Sequence, residues 1–499
     1  MKRISEMIRH LPVEAVHGDP ETAIEGLTYD SRSVKPGDCF FAVRGTRSDG
    51  HDYIPMAVEK GAAAVVCERM PEAPAEGVTW VVVRDSAGAM ADLAAAFYDF
   101  PSRELKLVGI TGTNGKTTTV TLLYDLVRAL GYRAGLISTV VYRIDGREIE
   151  ATHTTPDPIR LNAMMRQMVD AGCEFCFMEC SSHAIVQERI RGLEFAGGIF
   201  SNITHDHLDY HKTFAEYIRA KKLFFDHLPK GAFALTNIDD RNGRVMVQNT
   251  AATVKSYSLR EMADFRCKIL EMHVDGMLLR IDGQELWTGL LGRFNAYNLL
   301  AVYGAACLLG LDRGEVLRVL STLHAVSGRF EIVRAANGTV AIVDYAHTPD
   351  ALENVLRTIE ELRQPSQQLL VVCGCGGDRD RTKRPEMAQI AVRYASTAIF
   401  TSDNPRHESP EAILDEMTAG LQPGTRYVRI TDRAEAIRTA VLMSRPGDLI
   451  LIAGKGHETY QIIGDVKHHF DDREEVRRAF ELLPAAGNPA PGNPAAAKS

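Results

Sequence analysis

The sequence predicts an α/β protein of three domains: a smaller N-terminal α/β unit, a central unit built on a mostly parallel sheet, and a second doubly wound unit at the C-terminal end. Three observations predict it. Short aliphatic runs alternate with helical patterns along most of the chain, the grammar of parallel strands covered by helices. A glycine loop ending Gly115-Lys116-Thr117 stands between one such run and a helical stretch. The 499 residues are about three times the ~150 of a typical domain.

Taken in order, the region before Pro101 is the small α/β unit, and Phe100-Pro101-Ser102 reads as a linker. The run Leu105 to Ile110 predicts a strand, Thr111 to Thr117 the glycine loop, and Thr118 to Leu130 a helix; strands follow at Leu136 to Val141, Phe175 to Glu179 and Gly198 to Asn202. The last third predicts strands at Val340 to Asp344, Leu369 to Cys373, Ala398 to Thr401 and Leu449 to Ile452, the first three each followed by a polar or glycine loop and a helix. A boundary near Ser327-Gly328-Arg329 gives expected domains 1–102, 103–328 and 329–484. The segment PAAGNPAPGNPAAAKS is too poor in large apolar groups to pack, and 485–499 is expected to be a disordered tail. No internal repeat is visible.

Composition narrows the function. Hydrophobic residues at 45% and charged residues at 24% fit a soluble globular protein and exclude collagen, coiled coil and disorder for the bulk. A net charge of −8 has the wrong sign for a protein held by phosphate backbones, so no nucleic-acid partner is expected. No run approaches the ~20 apolar residues of a membrane span, and Met1 to Val13 has no signal-like apolar core; a cytoplasmic protein without membrane insertion is expected. The 9 cysteines fit reduced thiols better than a disulfide framework. Cys173, Cys176 and Cys180 have metal-like spacing, but no second such pair exists and they flank the apolar run Phe175 to Met178, which favours buried strand thiols over zinc.

A loop ending Gly-Lys-Thr before a helix offers backbone amides and a helix N-terminus to phosphate, with Lys116 as a mobile charge and the Thr117 hydroxyl as a Mg²⁺ ligand. Ile110 stands where the eight-residue consensus has its first glycine, so the loop is a shorter variant opening at Gly112. Turn chemistry explains two glycines, but not Gly115, Lys116, Thr117 and Thr118 together after a strand. Glu179 ends one neighbouring strand, and another leads into the His-rich segment from Asn202 to His211, so carboxylate and imidazole can converge at the carboxyl ends of strands. In the last third, Arg379 and Arg406 lie on successive strand-end loops, where paired guanidiniums suit carboxylates. Cys373-Gly374-Cys375 reads as packing.

Together TGTNGKT, ECSSH, HDHLDYH, GRFNAYN, SGRFE and DYAHTPD, in that order, resemble the Mur ligases, ATP-dependent amide-forming enzymes that build the peptidoglycan stem peptide. Within the family, TYDSR…GDCFFAV, DNPR and GKGHE resemble the members that add meso-2,6-diaminopimelate to UDP-N-acetylmuramoyl-L-alanyl-D-glutamate. The resemblance implies a UDP-substrate domain, a central P-loop ATPase-like domain and a C-terminal Rossmann-like domain for the incoming amino acid. It implies that Ser31 holds the uridine nucleotide and that Thr154, Thr155, Ser181, Gln187 and Arg189 contact the muramoyl dipeptide. ATP would take Gly112, Thr113, Asn114, Gly115, Lys116, Thr117 and Thr118, with Asn295 on adenine (Asn298 being a close rival), Asp344 on ribose and Arg329 on the phosphates. Mg²⁺ would take Thr117, Glu179, His207 and Lys221 as a carbamate, with adjacent Lys222 solvated. The catalytic set would be Lys116, Lys221, His207 and Arg329. Diaminopimelate would take Arg379, Asp403, Asn404, Pro405, Arg406, Gly454 and Glu458. A monomer is expected. The competing readings are a lysine-adding or fourth-residue ligase of the same family, a folylpolyglutamate synthetase-like ligase, and a non-catalytic nucleotide-binding module.

Overall fold

The strand Lys106–Thr111 lies at the centre of a largely parallel sheet, and the chain runs from it into the glycine loop. A computed structural model describes residues 1–45, 48–204 and 208–483. The chain divides into two compact units: Met1–Ile203, His211–Arg266 and Asn298–Leu320 form the first, and the second is built on Cys267–Tyr297 and the chain from Ser321.

In the first unit, a five-stranded sheet has the order Ala15–His17, Thr79–Val82, Ala64–Cys67, Asp38–Phe41, Gly26–Thr28, parallel except at the Ala15–His17 edge. Its central strands are buried along their length, as expected of a parallel sheet covered on both faces. Phe100-Pro101-Ser102 is no loose linker. Pro101 and Ser102 are buried, and the Ser102 hydroxyl accepts from the Glu194 amide at 3.0 Å, which ties the junction down.

The larger sheet of this unit runs Arg147–Glu150, Val141–Ile144, Ala134–Ile137, Phe175–Glu179, Lys106–Thr111, Gly197–Phe200, Phe233–Asn237, Thr253–Ser258, and is parallel from Ala134–Ile137 onward. Phe175–Glu179 and Gly197–Phe200 flank Lys106–Thr111 on opposite sides, a reversal of the kind that opens a crevice at the carboxyl ends of such strands. The strand expected at Leu136 to Val141 is two. The Ser138 hydroxyl donates to the Val141 carbonyl at 2.8 Å and accepts from the Val140 and Val141 amides, a local turn that outcompetes the ladder. Cys173, Cys176 and Cys180 are buried among Leu107, Met168 and Phe195 in the core.

The second unit holds a six-stranded sheet in the order Glu331–Arg334, Val340–Asp344, Leu449–Ala453, Leu369–Cys373, Thr397–Phe400, Tyr427–Arg429, antiparallel only at the first edge. Helices Pro349–Leu362, Lys383–Tyr394 and Pro410–Thr418 follow its strands as expected. Arg433 and Asp472, both fully buried, pair through two bonds of 2.7 and 2.8 Å, and Arg433 also donates to the Ala453 carbonyl, pinning two helices under the end of Leu449–Ala453. Cys375 packs its sulfur 3.7 Å from that of Met387. Among the described residues no helix is long and apolar enough to cross a membrane.

Candidate active site

The glycine loop owes its shape to its neighbours. A Cβ on Gly112 would stand 1.9 Å from the Ser201 hydroxyl, and one on Gly115, whose φ is +86°, would stand 2.5 Å from Asn298 Oδ1. Asn202 anchors the loop: its carbonyl accepts from Thr113 N at 2.8 Å and its Oδ1 from Asn114 N at 2.9 Å. Because Gly115 takes the left-handed conformation at the N-cap, the helix begins at Lys116, two residues earlier than the sequence suggests. The amides of a helix's first turn have no partner within the helix, which makes such an N-terminus suited to a phosphate. Lys116 Nζ lies over the loop, donating to the Gly112 and Thr113 carbonyls at 2.9 and 2.8 Å. Asn298, the rival to Asn295, belongs to this unit and packs on Gly115; Asn295 lies in the second unit, its Nδ2 donating to Leu291 O at 2.8 Å.

Beside the loop, Glu179 is 1% exposed and accepts from Thr117 Oγ1 at 2.9 Å and from the Thr139 amide at 2.8 Å and its hydroxyl at 3.1 Å. A buried carboxylate held by hydroxyl and amide donors, with a threonine hydroxyl in reach, is an oxygen set that fits a hard divalent cation such as Mg²⁺. Lys221 is equally buried, its Nζ donating to the Gly112 carbonyl at 2.8 Å and lying 4.6 Å from the centre of the Tyr217 ring. Lys222 is not solvated as expected: it pairs with Asp226 one helical turn on, and its side chain is largely covered. His207 lies outside the described residues, among which no three carboxylate, imidazole or thiol groups gather as a metal cluster.

The residues expected to hold the acceptor converge at the same strand end. Thr155 Oγ1 donates to the Glu179 carbonyl at 2.7 Å, the Thr154 and Thr139 hydroxyl oxygens lie 3.1 Å apart, and Ser181 caps the helix Ser182–Val186. Arg189 donates to the Thr155 carbonyl at 2.8 Å and to Gln187 Oε1 at 2.6 Å. Burial, then the Asp157 carboxylate, raises the Tyr29 phenol above its ordinary value against the charge of Arg189, and Ser31, two residues further on, is buried.

In the second unit, Asp344 accepts from the Phe330 amide at 2.7 Å, and burial pushes its carboxyl up to about 6 against the pull of Arg329, which lies 4.6 Å from the centre of the Tyr345 ring. Arg379 and Arg406 flank Gly376, where a Cβ would stand 3.8 Å from Arg379 Cγ and 3.0 Å from the nearest Arg406 nitrogen. Below them Asn404 donates to Glu458 Oε2 at 2.8 Å, and a Cβ on Gly454 would stand 2.5 Å from Asp403 Oδ2. Lys455, which sequence reasoning missed, is fully buried here and donates to Asn404 Oδ1 and Glu458 Oε2, each at 3.0 Å. Burial opposes ionisation of both carboxyls; Lys455 and Arg433 nevertheless hold Asp403 below its usual range, while burial and the charge of Asp403 keep Glu458 above its own. Two carboxyls thus share the charge of one buried lysine. The signal for Lys455 was its place inside GKGHE; Thr139 offered none.

A phosphate loop on a central parallel strand, with a buried carboxylate at the next strand's end, defines a P-loop nucleotide-binding α/β protein. Three family descriptions match in order: "Mur ligase family, catalytic domain" over residues 23–98, "Mur ligase middle domain" over 110–306, and "Mur ligase, glutamate ligase domain" over 328–456. The UDP-N-acetylmuramoyl-L-alanyl-D-glutamate–2,6-diaminopimelate ligase of Phocaeicola vulgatus is 54% identical over 96% of this chain and 99% of its own length, and that of Geobacillus thermodenitrificans 46% over the same shares. A solved structure of a ligase with the same description superposes with a TM-score of 0.69 at 32% identity, covering 96% of this chain and 99% of that one. MurF from Acinetobacter baumannii shares the fold, with a TM-score of 0.64 at 17% identity over 96% of this chain and 98% of its own. The chain belongs to the Mur ligase family and is an ATP-dependent, amide-forming ligase.

Proposed function

We propose that this chain joins meso-2,6-diaminopimelate to the D-Glu γ-carboxylate of UDP-N-acetylmuramoyl-L-alanyl-D-glutamate, with ATP driving the reaction, in the synthesis of peptidoglycan precursors. The observation that carries the reading is 54% identity over 96% of the chain to a ligase of that description. The reading takes the chain to act as a monomer, and ATP and the nucleotide-linked acceptor make the cytoplasm its place of work.

The chemistry begins with a poor electrophile. A carboxylate shields its carbonyl carbon with negative charge and has no leaving group. Transfer of the γ-phosphoryl of ATP to the γ-carboxylate removes both obstacles and gives an acyl phosphate. Lys116 and Arg329 are assigned to the charge that spreads over the transferring oxygens. Thr117, Glu179, His207 and Lys221, the last as a carbamate, would hold Mg²⁺, which supplies further positive charge to the phosphoryl oxygens. The burial of Lys221 against the Gly112 carbonyl supports that assignment, because there carbamylation would turn a cation into an oxygen ligand beside the loop. Ser31, Thr154, Thr155, Ser181, Gln187 and Arg189 orient the acceptor. The amine of the amino acid then attacks the acyl carbon and phosphate leaves.

Diaminopimelate differs from lysine by a second carboxylate, so its site must supply a distal cation. Arg379 and Arg406 supply it, while Asp403 and Glu458 face the ammonium. The test is a complete reaction with acceptor, ATP, Mg²⁺ and meso-diaminopimelate, followed by product mass and phosphate release. Both signals are expected to vanish when either acceptor or amino acid is omitted; ATP hydrolysis indifferent to the acceptor would contradict the reading.

A further inference from the structure

The two arginines assigned to the second carboxylate sit on different loops, after Leu369–Cys373 and after Thr397–Phe400. Strand pairing fixes the roots of those loops ~4.8 Å apart but says nothing about their tips. Both tips carry left-handed residues, Asp378 at φ +52° and Arg406 at φ +51°, a conformation that side chains adopt only when their surroundings hold it.

What holds them is an ion pair outside the assigned set. Glu408, just beyond the DNPR segment, accepts from the Asp378 amide at 2.6 Å and takes Arg384 in a two-pronged grip of 2.9 and 3.0 Å. Arg384 is fully buried at the start of the helix Lys383–Tyr394; it also donates to the Gly376 carbonyl at 3.2 Å and to Glu416 at 2.7 Å. Arg381 reaches Glu408 from the solvent side at 2.9 Å, and His407 meets Asp378 Oδ2 at 2.9 Å. Arg406 then crosses to the Gly377 carbonyl at 2.8 Å. One guanidinium and one carboxylate thus touch both loops at once. A buried ion pair contributes little net stability, since desolvation cancels most of its attraction, but it does fix geometry.

We propose that Arg384 and Glu408 are positioning residues that set the spacing of Arg379 and Arg406, and through it the enzyme's grip on an amino acid with a second carboxylate; this rests on the diaminopimelate reading above. The bond from Arg384 holds the Glu408 carboxyl at about 2, so the brace stays charged at working pH.

Glu408→Gln keeps the shape and loses the charge, and Arg384→Lys keeps the charge and loses the fork. In full-length protein each is expected to raise KM for meso-diaminopimelate about tenfold, the scale of one lost charge-assisted hydrogen bond. KM for ATP and for the UDP-linked acceptor is expected to hold, with Tm within a few degrees of wild type. Glu408→Gln added to Arg406→Ala is expected to raise KM no further than Arg406→Ala alone, because the brace acts through that arginine. If Arg406→Ala raises KM but Glu408→Gln, at the less buried of the two partners, leaves it at the wild-type value or shifts all three KM values equally, the brace is merely structural and the proposal is overturned. If Arg406→Ala itself leaves KM unchanged, the diaminopimelate reading of the loop falls first, and the proposal with it.

Discussion

Lys116 donates to the Gly112 and Thr113 carbonyls and contributes nothing to the core. Lys116→Ala is therefore expected to abolish product formation while leaving the circular dichroism spectrum and Tm near wild type; turnover near normal in a folded variant would remove the loop from the mechanism. Lys221 and Lys222 allow a sharper comparison. Lys221→Ala is expected to lose most activity, with partial recovery on adding a small carboxylate, while Lys222→Ala loses only an ion pair with Asp226, worth ~0.5 kcal/mol; the reverse order would contradict the assignment. Neighbours on a helix point about 100° apart, so the sequence shows that one of them faces inward without showing how thoroughly the other is covered. His457 carries a pH expectation. Burial, then the charge of Arg329, pushes its imidazole from 6.5 down to about 3, and its Nδ1 is buried with no hydrogen-bond partner. A depressed value means the unfolded chain takes up the proton first, so stability is full above pH 6.5 and is lost as pH falls toward 3. At pH 5 the loss from this group is about 1–2 kcal/mol. His457→Phe is expected to shrink the drop in Tm between pH 7.5 and pH 5, and an unchanged drop would refute it.

The loops after parallel strands carry the residues assigned to the chemistry, and their glycines set how closely the loops approach. A Cβ on Gly377 would stand 1.9 Å from the Pro405 carbonyl. Gly377→Ala is therefore expected to push the two arginine loops apart and raise KM for diaminopimelate at least about tenfold, with KM for ATP untouched; equal rises in both would show a general loss of fold. Phe175–Glu179, Val340–Asp344 and Leu369–Cys373 were legible to the residue because a doubly covered strand is a continuous apolar run closed by polar groups. Leu136 to Val141 was not, because a single serine hydroxyl diverts the backbone at Ser138 and composition hides it. Lys455 escaped for a related reason: a lysine between two glycines reads as surface until the fold buries it against Glu458.

For the whole chain, the ordered motifs made the family legible, since they span regions that the structure brings to strand ends in two separate units. The two compact units cut the chain elsewhere than the three expected domains do. The junction at Pro101 is buried inside the first unit, and the second unit takes in Cys267–Tyr297, a stretch whose contacts no local pattern announces. If Arg379 and Arg406 hold the second carboxylate, as proposed, the enzyme selects its amino acid by that group. The most direct test compares kcat/KM for meso-diaminopimelate and L-lysine on wild type and on Arg406→Ala. Wild type is expected to prefer diaminopimelate strongly, and the variant to lose roughly 30- to 150-fold on diaminopimelate, equivalent to ~2–3 kcal/mol of charged hydrogen bonding, while changing little on lysine. A wild-type preference for L-lysine, or a variant that loses both substrates equally, would contradict the account.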